Sequence, residues 1–218
     1  WSIQAKKMLH DAEKKTIYYD NAVVKVYDIP VFYLPRLSHP DPSVNRRSGF
    51  LVPFLTNSKN LGSGVSVPYF FALDEDKNFT FTNRLYNKEN PFFNGEYHQA
   101  LKNSNLIADF GFTEGYKKTS DIKTKGSKSH FFAKFNKDFF GKNNSQNTLN
   151  LSTQQVSDDK YLKLYKIKSN IVDFNNNTLE NSLSFTHENE DLFFGLNANI
   201  YETLMDDYND KYEYVFPE

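Results

Sequence analysis

The sequence predicts an all-β chain in two unlike regions: a short sheet-forming stretch, then antiparallel meander strands of the kind that cross a membrane as a β-barrel. Three observations predict it. Aromatic residues are 17% of the 218, with 21 Phe and 14 Tyr, yet they alternate with Asn, Lys, Thr and Ser, which gives strands with one apolar and one wet face. The alternation persists for about ten residues at a time, the length of a tilted crossing of the hydrocarbon layer, whereas ordinary globular strands run nearer five or six. Prolines 30, 35, 40, 42 and 53 fix φ, remove amide donors and push the preceding residues to extended geometry, so no helix crosses that stretch.

In chain order, Ser2 to Leu9, Thr16 to Asp20 and Ala22 to Asp28 read as three short strands, broken at Asp11-Ala12-Glu13-Lys14 and at Asp20-Asn21. Tyr27 to Phe54 reads as a proline-punctuated, doubly basic hinge. Beyond Ser48, Val65, Val67, Tyr69, Phe71 and Leu73 share one strand face, and Asp74 to Asn78 turn the chain. Phe79 to Tyr86 sets Phe79, Phe81 and Leu85 against Thr80, Thr82 and Arg84. Phe92 to Lys102, Leu106 to Tyr116, His130 to Phe140, Asn147 to Val156 and Leu192 to Leu204 continue the meander, with short and long connections in alternation. Ser157 to Tyr165 breaks the rhythm with a cap-like start and one helical turn, placed in a loop. Periodicity alone leaves a soluble antiparallel sandwich open.

Charge and composition exclude several functions. The formal charge of −1, from 26 basic and 27 acidic residues, lacks the basic excess that nucleic-acid binding requires. The absence of Cys excludes disulfides, thiolate zinc sites and cysteine nucleophiles. No apolar run reaches the roughly 20 residues of a membrane-spanning helix. Trp1-Ser2-Ile3-Gln4 is no signal peptide, and the strand pattern from Tyr212 stops without a turn, so the chain reads as a fragment at both ends.

No cofactor motif emerges. His39-Pro40-Asp41-Pro42 reads as a stiff turn rather than a metal site, and His10, His98, His130 and His187 lack metal-ligand spacing and read as surface or lumen residues. Glu96, Asp109 and Glu114 fall on neighbouring strands, where paired carboxylates serve glycoside cleavage, but no cleft is legible. Gly62-Ser63-Gly64 lacks the Lys-Ser/Thr of a phosphate loop and reads as a hairpin. Arg46 and Arg47 are candidate contacts for an anionic lipid headgroup, against the alternative of an exposed hinge or local ion pair. Pro53 and Pro68 each delete a ladder donor from the first two long strands.

Asp28-Ile29-Pro30-Val31-Phe32-Tyr33-Leu34-Pro35, Arg46-Arg47-Ser48-Gly49-Phe50-Leu51-Val52-Pro53 and Val67-Pro68-Tyr69-Phe70 together resemble the LptD (OstA) family of outer-membrane lipopolysaccharide-assembly proteins. Weaker likeness continues in Phe79-Thr80-Phe81-Thr82, Gly95-Glu96-Tyr97 and Val156 to Leu162. The resemblance implies that residues 1–37 end a periplasmic β-jelly roll with its hinge, and that 38–218 begin an outer-membrane barrel. It implies a transporter rather than an enzyme, without cofactor or metal, that moves lipopolysaccharide to the outer leaflet. Pro40, Pro42, Pro53 and Pro68 would shape a lateral gate, and Arg46 and Arg47 would meet the headgroup. The implied partners are lipopolysaccharide, an LptE-like plug lipoprotein and an LptA-like periplasmic bridge protein, at the outer membrane of a Gram-negative bacterium. The family's disulfide cysteines have no counterpart here. A general porin and a soluble carbohydrate-binding β protein are the rival functions.

Overall fold

The computed structural model describes residues 2–44, 46–114, 126–141, 145–205 and 210–216. Two compact units divide the chain, Trp1–Gly49 and Phe50–Glu218.

The first unit is an antiparallel sheet in the order β1 (Ser2–Asp11), β2 (Thr16–Val26), β3 (Ile29–Pro40). The sequence predicts a break at Asp20-Asn21, but β2 runs through it. Asn21 sits at φ 52, in the left-handed region that Asn tolerates better than most residues, and pairing resumes at Ala22 on both sides. The turn falls at Tyr27 and Asp28, whose φ of 50 and 62 suit a two-residue hairpin loop that twists with its strands. The proline-rich stretch is correspondingly more regular than a hinge. Pro30, Pro35 and Pro40 all lie in β3, at the margin of this sheet, and the pairing with β2 skips the rung between Asn21 and Pro35.

The second unit is a meander of β4 (Gly49–Phe50), β5 (Phe54–Ser58), β6 (Gly62–Ala72), β7 (Lys77–Tyr86), β8 (Phe92–Leu101), β9 (Ser104–Thr113), β10 (Lys128–Phe140), β11 (Gln146–Val156), β12 (Thr178–Glu188), β13 (Phe193–Thr203) and β14 (Tyr212–Val215), with one short helix, α1 (Tyr161–Tyr165). Each strand from β6 to β14 pairs with its sequence neighbour, and β4 and β5 both lie beside β6. Among the described residues the sheet does not close; β14 forms one margin and β4 with β5 the other. The sequence pattern marks no strand at 178–188, where β12 stands, because Asn, Ser, Thr and His dilute its apolar positions.

The strand register sorts the side chains onto two faces. One carries Phe71 opposite Phe79, Phe93 opposite Phe112, Phe110 opposite Phe131, Phe135 opposite Leu151, Leu151 opposite Leu183 and Phe185 opposite Leu196. Among the described residues no second layer covers them. Phe71, Phe93, Phe110, Phe112, Phe131, Leu151, Leu183 and Leu196 are each more than a third exposed, and Phe79 stacks on both Phe71 and Phe110. The other face carries Thr80, Thr82, Asn94, Glu96, Lys134, Asn136, Asn150, Ser152 and Ser184. Its amides and hydroxyls bond across strands, as Asn136 to Asn150 and Asn150 to Ser184 do.

The buried core is on that polar face, at one end. The connection 157–177 folds back over the strands and packs Tyr161, Leu162, Tyr165, Ile167 and Val172 against Leu61, Phe92, Phe132, Leu179 and Leu204. Ser157 to Tyr165 does contain the expected helical turn, but it is more than a surface loop: Tyr161 and Leu162 are fully buried. A single turn makes too few backbone bonds to stand alone, so this side-chain burial holds α1. The connections 87–91 and 157–177 share this end, whereas 73–76, 102–103 and 189–192 turn at the other.

Candidate functional site: the polar face and the margin beside Pro53

Phe92, Asp109, His130 and Phe132 reach the polar face from the paired strands β8, β9 and β10. His130 Nε2 lies 2.9 Å from Asp109 Oδ1, and His130 Nδ1 lies 2.9 Å from the Tyr161 hydroxyl. A carboxylate only accepts, so Nε2–H donates to Asp109 and, in the neutral imidazole, Nδ1 accepts from Tyr161. Asn94 donates a further bond to Asp109 at 2.6 Å. Burial, reinforced by the charge of Asp109, pushes the Tyr161 hydroxyl well above the usual phenol range, so it stays a donor. The sequence predicts a surface or lumen histidine here; His130 is instead buried beneath the folded-back connection. Gly111 makes room for it, since a Cβ there would stand 2.4 Å from the imidazole and 2.8 Å from Phe92.

Two further ties hold the connection. Arg84 donates to the Tyr165 carbonyl at 3.1 Å, with its guanidinium 5.2 Å from the Phe92 ring centre. Lys211 bridges Asp159 at 2.8 Å and Glu202 at 3.1 Å, and its bond to Asp159 raises its pKa. Glu96 and Asp109 do stand opposite one another, yet Glu96 is taken up by His98 at 2.6 Å and Asp109 by His130.

Pro53 lies between β4 and β5, so the first strand is split into two short pieces along β6. Leu51 to Leu55 are all exposed. Pro68 lies within β6, opposite Thr82 of β7. Its carbonyl accepts from the Leu51 amide at 2.9 Å. Both polar groups of a strand residue point to one side, so the donor that Pro68 lacks is missing on the side of the first strand.

Pro40, Asp41, Pro42, Arg46 and Arg47 belong to the first unit, and Gly62 to the second. Asp41 accepts from the Ser43 amide and pairs with His10 at 2.6 Å; the Ser43 bonds, chiefly the backbone one, hold its carboxyl below the ordinary range. Pro40 ends β3 and Pro42 sits in the turn that follows. Arg47 donates to the Thr16 hydroxyl, and Arg46 is half-buried. Gly62 closes the β5–β6 hairpin at φ 76.

A sheet with an uncovered aromatic face and a hydrogen-bonded polar face has the construction of a membrane-barrel wall. In comparison with known proteins, the chain is similar to LptD proteins. It is 28% identical over 173 residues to the LPS-assembly protein LptD of Francisella tularensis subsp. holarctica (strain LVS), covering 74% of this chain and 20% of that protein. It is 35% identical over 103 residues to LptD of Psychrobacter arcticus, covering 47% and 11%, and 24% identical over 212 residues to LptD of Legionella pneumophila (strain Paris), covering 94% and 25%. The chain therefore spans a quarter or less of these curated relatives. No family model matches it.

Proposed function

We propose that this chain is part of a lipopolysaccharide-assembly protein of the Gram-negative outer membrane, with β1 to β3 ending a periplasmic jelly roll and β4 to β14 beginning the barrel. The observation that carries the proposal is the two-faced sheet with a proline-split first strand. An amphiphile with long acyl chains needs an apolar exit, since each buried methylene is worth about 0.8 kcal/mol, while its sugars need hydrogen-bonding walls. The polar face supplies the walls, and the margin at Pro53 and Pro68 supplies a weakly laddered seam. Pro40 and Pro42 shape the entrance, and Arg46 and Arg47 meet the headgroup.

The orientation follows from connection length. Bacterial barrels turn tightly on the periplasmic side and carry longer loops outside. Here β5 runs from the short-turn end toward the long-connection end, so the chain enters the sheet from the periplasm and the core around α1 lies toward the exterior. The work is guidance without bond-making. The partners are lipopolysaccharide, an LptE-like plug lipoprotein and an LptA-like bridge protein.

Replacing Pro53 with Ala restores one ladder donor. A net hydrogen bond of about 0.5–1.5 kcal/mol should close the seam enough to lower lipopolysaccharide delivery to the cell surface about two- to tenfold, read by surface labelling in cells carrying the full-length protein. Unchanged delivery would overturn the seam. Ion conductance without lipopolysaccharide crosslinking to the polar face would favour a general porin.

A further inference from the structure

We infer that the short-turn end of the aromatic face carries a headgroup site for an anionic phospholipid, centred on Lys137 with Asn147 and His187 beside it. Along β10 that face passes from Ser129 through Phe131, Ala133 and Phe135 to Lys137, and on the next two strands its apolar run ends at Asn147 and at His187. Eight residues separate Ser129 from Lys137, which at about 3.4 Å each and a tilt of about 40° is roughly 20 Å of height. The apolar band of an outer-membrane barrel is about 25 Å tall, so two polar rims stand where its two interfaces fall. The rim beside the long connections is neutral and self-satisfied, with Thr153 donating to Asn181 at 2.9 Å. The other rim holds a cation.

Lys137 has no carboxylate partner among the described residues. Its ammonium lies 4.8 Å from the centre of the Phe139 ring, so the stem follows the sheet toward the rim and the charge is held outward. Asp138 and Glu188, the acids of these strand ends, alternate onto the opposite face, where Asp138 accepts from Thr148 at 2.8 Å. Beside Lys137, His187 Nδ1 donates to the Asn147 side-chain oxygen at 2.6 Å. A lysine and a polar pair on a face otherwise given to Phe and Leu are costly in hydrocarbon and stable at headgroup level. Phosphate supplies what this rim lacks, a negative charge and acceptor oxygens for the ammonium protons. Phe139 and Phe194 are 38% and 51% exposed in the row that holds Asn147 and His187, so acyl chains beneath the headgroup meet apolar walls. A cation without an anion selects a net-negative headgroup over a zwitterionic one.

The site rests on the reading that the aromatic face meets a bilayer, and it places the short-turn end in a phospholipid leaflet. The full-length protein in neutral maltoside micelles is titrated with a short-chain phosphatidylglycerol, with its phosphatidylcholine counterpart and with inorganic phosphate, each followed by 31P NMR. Phosphatidylglycerol should bind tightest. Lys137→Gln should weaken it about fivefold, the scale of one lysine at an anionic lipid surface, and Lys137→Arg should restore it. Lys88→Gln, which alters an exposed lysine at the opposite end of the sheet, should leave it unchanged. Binding that survives Lys137→Gln, or that falls equally in the Lys88 variant, would overturn the site. Phosphatidylcholine binding as tightly would overturn the anionic headgroup, and inorganic phosphate binding as tightly would replace the lipid with a free anion. If Leu183→Arg folds into vesicles without loss while phosphatidylglycerol still depends on Lys137, the bilayer reading falls and the site stands.

Discussion

The Asp109–His130–Tyr161 chain is where single atoms matter most, because each member is buried and both ring nitrogens of His130 are engaged. Asp109→Ala leaves the His130 N–H unpaired, at a cost of about 1–3 kcal/mol. Phe92→Ala opens a cavity among His130, Tyr161 and Tyr165 rings, at about 3–5 kcal/mol. Both should expose 157–177 to limited proteolysis while 73–76 stays protected; equal cutting at both would place the damage elsewhere. Asp41 contributes to the pH dependence of the first unit. Its folded pKa is depressed, so the stability it adds is present above the unfolded value of 3.8 and is lost as pH falls through the folded value. Acid titration of the His10 ring signals should show that contact loosening only below the ordinary carboxylate range. None of the buried chain was legible in sequence, since Asp109, His130 and Tyr161 lie on three elements and meet only through register and a folded-back connection.

At the scale of elements, alternation exposed the long strands because apolar and polar side chains take opposite faces of the sheet. Phe79, Phe81 and Leu85 against Thr80, Thr82 and Arg84 needed no tertiary information. β12 was hidden because its inner neighbours are Ser, Thr and Glu and its outer ones are few, and β2 was misjudged at Asn21 because a left-handed Asn serves a turn or an irregular strand equally. The short helix ends at Lys166, in left-handed geometry at φ 48 and ψ 54, a place where Gly is preferred. Lys166→Gly should therefore stabilise the connection by about 0.5–1 kcal/mol, read as slower proteolysis of 157–177; faster proteolysis would show that the lysine side chain itself holds the connection.

For the whole molecule, the uncovered aromatic face decides the surrounding medium. Leu183 stands midway along β12, is 44% exposed and faces Leu151. In a bilayer, Leu183→Arg should cost about 2–4 kcal/mol, measured as a lower yield of folding into lipid vesicles. In a water-soluble protein the same exposed change would stay within about 0.5 kcal/mol. Ser184, its neighbour on the opposite face, should accept Asn with little effect in either case.

The prolines that split the strand beside β6 and punctuate β3 carry one more consequence. A bare margin ordinarily invites a stray strand from another copy, and misassembly begins there. Pro30 and Pro40 interrupt the β3 margin and Pro53 the margin beside β6, so neither offers a continuous run of donors for a second molecule to zip onto. On the transport proposal, a polypeptide that waits in water before meeting a bilayer is thereby guarded against clumping at these two margins.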